Sequence, residues 1–187
     1  MVRKTLYGVK KEKIVDTDGI YVKNIEEVNS GNKSDIKFHQ EAENTTKEIL
    51  SCFNLKKDGS SELAIDLIGD LHLFIEVERD FATEKWTNKS NFPYNLINIP
   101  AEKKRHFLEH RKSSFYLKYN KELNCFLILY GEDILNESNE ENLLANHSGQ
   151  KAERTFLRIP KSFALFSDLS SLDETKLFIL KKLNGDN

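Results

Sequence analysis

The stretch ELAIDLIGDLHLFIEVERD, residues 62–80, restricts the fold more than any other part of the chain. Leu71, Leu73, Ile75 and Val77 alternate with His72, Phe74, Glu76 and Glu78. Leu63, Ile65 and Leu67 alternate in the same way with Glu62, Ala64, Asp66 and Ile68. Successive side chains of a strand point to opposite faces, so residues 62–68 and 71–79 read as two strands forming a hairpin. A strict turn at Gly69-Asp70 sets Asp66 opposite Leu73, on the apolar face. A longer turn, Gly69-Asp70-Leu71, or a bulge sets it opposite Phe74, on the face of Glu76 and Glu78. This odd register also stacks Leu63, Ile65 and Leu67 with Leu73, Ile75 and Val77. A slip of one residue moves a strand's whole apolar set, so the odd register is the expected one.

The remaining elements follow from periodicity and punctuation. IVDTDGIYVKNI carries short strand-like runs around a turn at Asp18-Gly19. Residues 36–53 read as a helix with Phe38, Ala42, Ile49, Leu50 and Phe53 on one face, capped by Ser34 or Asp35. Residues 94–99 read as a third strand, stopped by Pro100, which suits the first turn of a helix over 101–112 with Phe107 and Leu108 inward. Residues 114–119 and 123–130 are two further strands, and Phe156–Phe166 is another strand-like run interrupted by Pro160. The Asn-rich, acidic stretch 132–153 reads as a mobile excursion. A final amphipathic helix turns Leu172, Leu177, Phe178 and Leu180 inward. The order predicts one domain over 1–187, of the α/β (α+β) class, with a mixed central sheet flanked by helices and additions at both ends.

Composition narrows the function classes. Lys plus Arg number 28 against 30 Asp plus Glu, a net charge of -2, so any nucleic-acid contact must come from local patches. No run approaches the roughly 20 apolar residues of a membrane span, and the first residues lack the apolar core of a secretory signal. Cys52 and Cys125 sit among apolar residues, outside any zinc-like spacing, and read as buried free thiols of a reducing, cytoplasmic compartment.

In the odd register Asp66 and Glu76 lie roughly 7–8 Å apart across the hairpin, close enough to share a divalent cation. Mg²⁺ takes one or two carboxylates, waters and substrate phosphate. Asp66 followed by Glu76-Val77-Glu78, on a hairpin after a helix, resembles the PD-(D/E)XK nuclease superfamily, over about residues 36–130. The resemblance implies a restriction-endonuclease-like αβββαβ core with the Asp on its second strand and the triplet on its third. It implies Mg²⁺ or Mn²⁺ held by Asp66, Glu76 and the Val77 carbonyl, and an assisting acid on the first helix, Glu41 ahead of Glu43. The activity implied is hydrolysis of DNA, of restriction, homing, phage or repair type, for which a homodimer is the ordinary way to cut both strands. Ile65 stands where the family has Pro, and Glu78 where it has Lys. Glu78 is then expected to orient or deprotonate the water in place of that Lys. A degenerate member, acting as a nucleic-acid-binding or assembly module, is the alternative.

Lys103, Lys104 and Arg105 are the cations nearest in sequence to take up phosphate charge. They equally suit a solvated helix face. His72 shares the carboxylate face but reads as a surface residue, and Trp86, Phe92 and Tyr94 read as packing residues before base-stacking ones.

Overall fold

The computed structural model describes residues 14–15, 21–22, 33–58, 65–80, 86–147 and 150–185. The chain divides into two units, Met1–Glu41 and Ala42–Asn187. The first contributes a short antiparallel pair, β1 (Ile14–Val15) and β2 (Tyr21–Val22), and the opening turns of α1 (Lys33–Ile49). The turn expected at Asp18-Gly19 and the strand residues 62–64 lie outside the described residues.

The second unit begins with the last turns of α1. It continues through β3 (Lys56–Lys57), β4 (Leu67–Gly69), β5 (Leu73–Arg79) and β6 (Leu96–Pro100). After α2 (Lys104–Glu109) come β7 (Ser114–Tyr119), β8 (Cys125–Tyr130) and α3 (Gly131–Glu137). The chain closes with β9 (Asn139–His147), β10 (Gln150–Pro160), β11 (Leu165–Asp168) and α4 (Leu172–Leu183). Six strands form a mixed sheet in the order β11-β8-β7-β5-β4-β3, and β6, β10 and β9 form a second, antiparallel sheet. Only β5 and β7 are parallel neighbours among the described strands, which requires a crossover, and the chain from β6 through α2 supplies it.

Strand alternation divides the interior. Leu67, Leu73, Ile75, Val77, Phe115 and Leu117 form one core, joined by Ala42 and Ile49 of α1, by Leu50 and Phe53 just after it and by Ile179 of α4. On the other face Tyr116, Leu127 and Leu129 pack with Phe107 of α2, Ile134 of α3 and Ile97, Ile99, Leu157 and Ile159 of the second sheet. Thr46 ties α1 to the sheet through a 3.0 Å hydrogen bond with the Tyr119 hydroxyl.

Several expectations change. The strand at residues 94–99 belongs to the second sheet, and the first strand of the β3–β4–β5 meander is Lys56–Lys57. Two exposed lysines carry no alternation, and only pairing to Leu67 and Ile68 makes them a strand. Residues 132–153, read as an excursion, form α3, β9 and the start of β10. Cross-strand polar pairs such as Thr155 with Asn142 (2.7 Å) and Arg158 with Glu141 hold this ladder, leaving little hydrophobic pattern to read. Phe107 is buried, and Leu172 and Phe178 pack half-buried against the first core as expected, whereas Leu108, Leu177 and Leu180 are exposed. Cys125 is buried as expected, whereas Cys52 sits exposed in the turn after α1.

Two local features generate stability tests. Leu71 and His72, in the turn from β4 to β5, both have positive φ (60° and 54°), and Leu71 is 63% exposed. Left-handed backbone is costly for such residues. The double change Leu71→Asn, His72→Gly should raise the thermal midpoint by several degrees, read by circular dichroism. Gly131 opens α3 against β7, and a Cβ there would lie 2.1 Å from Ser114 Oγ and 3.0 Å from Ser114 O. Gly131→Ala should therefore cost about 1–3 kcal/mol in urea unfolding.

Candidate functional site

The site begins with the parity of β5. Leu73, Ile75 and Val77 fill the first core, so Phe74, Glu76 and Glu78 face the other side. Gly69 pairs with Leu73, Ile68 with Phe74 and Leu67 with Ile75, and one further step sets Asp66 opposite Glu76. Asp66 thus lies on the face expected of it. It stands across from Glu76 rather than Phe74, because the three turn residues are Asp70–His72 instead of residues 69–71. Asp66 Oδ2 accepts the Val77 backbone N–H at 2.7 Å, which fixes the carboxylate at the strand edge.

Glu76 is 3% exposed, an unusual place for a carboxylate. Its Oε1 accepts the Lys103 ammonium, delivered by the 3₁₀ turn that Pro100 initiates ahead of α2. Its Oε2 is buried without a hydrogen-bond partner, and His106 Nε2 stands 3.9 Å away. Burial pushes the Glu76 carboxyl up, Lys103 pulls it back, and the charges of Asp66 and Glu78 add to the rise, leaving it at about 7. For Lys103, burial opposes the charge but Glu76, Asp66 and Glu78 outweigh it and hold the ammonium above the ordinary lysine value. Burial and the neighbouring Arg105 and Lys103 push His106 down, so its imidazole is neutral near pH 7.

Glu78 is engaged differently. Its Oε2 accepts the Tyr116 hydroxyl at 2.7 Å and its Oε1 the Lys118 ammonium at 2.9 Å. Burial opposes its ionisation, but Lys118, Lys103 and the Tyr116 hydroxyl together hold it below the usual carboxylate range. The parallel register of β5 and β7 places Lys118 beside Glu78 and Tyr116 beside Glu76.

The other expected residues are more dispersed. Glu41 is exposed on α1 and belongs to the first unit. Glu43 is buried, with both oxygens 3.1 Å from Lys57 Nζ. Lys104 pairs with Glu140 at 2.5 Å, and Arg105 is exposed. Of the three basic residues expected at phosphate, Lys103 meets the carboxylates, while Lys104 is turned to the second sheet. His72 is exposed in the turn, Trp86 and Phe92 are buried, and Tyr94 is exposed. Lys118 and Tyr116 carry no signal in the sequence that joins them to the carboxylates, and His106 has no ligand spacing that marks it. Alternation in SFYLKY sets Tyr116 and Lys118 on one face, but only the parallel register assigns them to these carboxylates.

The donor set of Asp66, Glu76 and the Val77 carbonyl is all oxygen, as Mg²⁺ or Mn²⁺ requires, and the orphaned Glu76 Oε2 is an acceptor in want of a cation or proton. Among the described residues no three His, Cys, Asp or Glu side chains converge on one point as they stand. The residues therefore fit a cation held by two carboxylates and water, with Lys103 beside it. No known protein-family model matches the chain, and no curated protein matches it significantly. No helix among the described residues is long and apolar enough to cross a membrane.

The raised carboxyl sets a pH dependence. Between its ordinary 4.5 and about 7, the folded chain holds a proton on Glu76 that the unfolded chain has lost. This stabilising contribution is complete below 4.5 and is lost as pH rises through about 7. In EDTA, wild-type urea midpoints should fall from pH 5 to pH 8, and Glu76→Gln should flatten that fall.

Proposed function

We propose that the chain is a divalent-metal-dependent nuclease that hydrolyses phosphodiester bonds of DNA. The observation that carries the reading is Glu76, a buried carboxylate with an unpartnered oxygen, set opposite Asp66 and beside Glu78. Buried ionisable groups with displaced titration cluster at functional sites. The order of elements supports the same reading. A helix, the antiparallel meander β3–β4–β5, the short α2 and the parallel β7, with β6 inserted ahead of α2, are compatible with the αβββαβ plan of the PD-(D/E)XK superfamily. Asp66 then immediately precedes the second strand and Glu76 lies on the third.

Bound by Asp66, Glu76 and the Val77 carbonyl, Mg²⁺ or Mn²⁺ supplies Lewis-acid polarisation of the phosphate and an acidified water. The protein's own groups do the rest. Val77 N–H holds Asp66 in place, and Lys103 is the ammonium available to charge developing on the phosphate once it leaves Glu76. Glu78 serves as an anchor in this scheme rather than as a base, because both its oxygens already accept hydrogen bonds. Lys118, which Glu78 holds at 2.9 Å, is on this reading the candidate to supply the charge that the missing triplet lysine would.

Asp66→Ala and Glu76→Ala should each reduce Mn²⁺-dependent nicking of plasmid DNA to background while the circular dichroism spectrum stays that of the wild type. Undiminished cleavage by either variant would remove the reading. A second reading, a catalytically silent DNA-binding or assembly module of the same plan, has one observation in its favour. The Lys103 ammonium already neutralises the carboxylates that a metal would need. Calorimetry separates the two: the nuclease reading expects Mn²⁺ to bind the wild type and not Asp66→Ala, whereas the silent module binds none.

A further inference from the structure

We propose that His106 is a direct ligand of the metal, and that its imidazole makes the carboxylate site select a first-row transition cation over Mg²⁺. The inference rests on the nuclease reading and names the class of cation for that same site.

The two oxygens of Glu76 have different neighbours. Oε1 accepts the Lys103 ammonium, whereas Oε2 is buried with no hydrogen-bond partner. His106 Nε2 stands 3.9 Å from Oε2. That separation is too long for a hydrogen bond. It is just short of the roughly 4.0–4.3 Å that a metal–imidazole and a metal–carboxylate bond span end to end. A cation set a little off the line between the two atoms therefore reaches both. Both side chains are nearly closed to solvent, His106 at 7% and Glu76 at 5%, so neither is a solvated surface group.

The chain delivers the imidazole there by helical spacing. Lys103 ends the 3₁₀ turn that Pro100 starts, α2 follows at once, and His106 comes three residues later on the same face. Phe107 sinks into the second core and Lys104 pairs with Glu140, which fixes the rotation of α2 about its axis. One face thus presents an ammonium to one oxygen of Glu76 and an imidazole to the other. An ion at Oε2 need not first displace Lys103 from Oε1. Asp66, opposite Glu76 across the hairpin, and water fill the further positions, since among the described residues three such side chains do not converge as they stand. The donors then set the cation. Carboxylate, carbonyl and water suit Mg²⁺, whereas imidazole suits the later first-row metals, and affinity for a nitrogen donor rises from Mn²⁺ to Co²⁺.

The test is calorimetry of the full chain with Co²⁺ and with Mg²⁺, in the wild type and in His106→Gln, whose folding is checked by circular dichroism. The wild type should bind Co²⁺ more tightly than Mg²⁺. His106→Gln should lose about 10–100-fold in Co²⁺ affinity and leave Mg²⁺ affinity within about two-fold. A folding defect would instead weaken both cations together. Pulsed EPR of the Mn²⁺-loaded wild type reads the contact without any variant, as nitrogen modulation that shifts when histidine is isotopically labelled. A wild type that favours Mg²⁺, unchanged Co²⁺ affinity in folded His106→Gln, equal losses of both cations, or bound Mn²⁺ without nitrogen modulation would overturn the proposal while leaving the nuclease reading standing. A wild-type chain that binds none of the three cations would instead overturn the nuclease reading, and this proposal with it.

Discussion

A carboxylate cannot be left alone between a sheet and the helix that covers it, and the arrangement around Glu76 follows from that constraint. β5 is an inner strand, with β4 on one side and β7 on the other, and both its faces are packed. One face is aliphatic throughout. On the other, Glu76 and Glu78 stand where an ordinary core would place two more apolar side chains. An uncompensated buried charge costs several kcal/mol or changes its protonation. Both responses occur: Glu78 is compensated by Lys118 and Tyr116, whereas Glu76 is only half compensated by Lys103 and gives way by titrating at about 7. Two carboxylates of one strand face thus solve the same problem differently, because β7 gives both the Lys118 ammonium and the Tyr116 hydroxyl to Glu78 and leaves Glu76 with Lys103 alone.

The crossover has a similar logic. Parallel pairing of β5 and β7 obliges the chain to leave the sheet and return. The excursion is used to build β6, which joins β10, and to bring Pro100, Lys103 and His106 over the carboxylates. Pro100 ends the strand without needing a ladder donor and starts the turn at once, so Lys103 follows within three residues. Phe107 then anchors α2 in the second core, one residue beyond His106. The placement of Lys103 therefore depends on an apolar contact as much as on its charge.

What was legible in the sequence was whatever alternation alone determines. The strand face of Glu76 and Glu78, the parity of Asp66 and the apolar face of α1's last turns all come from period counting, and the structure has them so. The mixed sheet with helices was readable from the order of elements. What could not be read were partners decided by long-range pairing. Lys56–Lys57 is a strand only because β4 lies beside it, and residues 94–99 look like a strand of the main sheet until β10 claims them. The long β9–β10 ladder is hidden for the same reason, since its cross-strand contacts are polar and its composition is that of a loop. Lys118 and Tyr116 could be assigned to a face but not to a neighbour.

The electrostatics of the cluster bear on what it can bind. Asp66, Glu76 and Glu78 bring three negative charges when ionised, and Lys103 and Lys118 bring two positive ones, which leaves one negative charge over. A proton on Glu76 makes the set neutral; a divalent cation in its place makes it positive. The chain as a whole carries a net charge of -2, so its overall field does not draw in a phosphate backbone. On the nuclease reading, attraction has to be generated locally, and a cation at Glu76 would reverse the sign where the phosphate would sit. The same argument explains why Glu78 needs to stay ionised and paired. If it too were protonated, Lys118 would be released and the site would no longer require a metal to become positive. A cluster one charge short of balance is what makes the proposed chemistry conditional on the metal rather than on the protein's lysines alone.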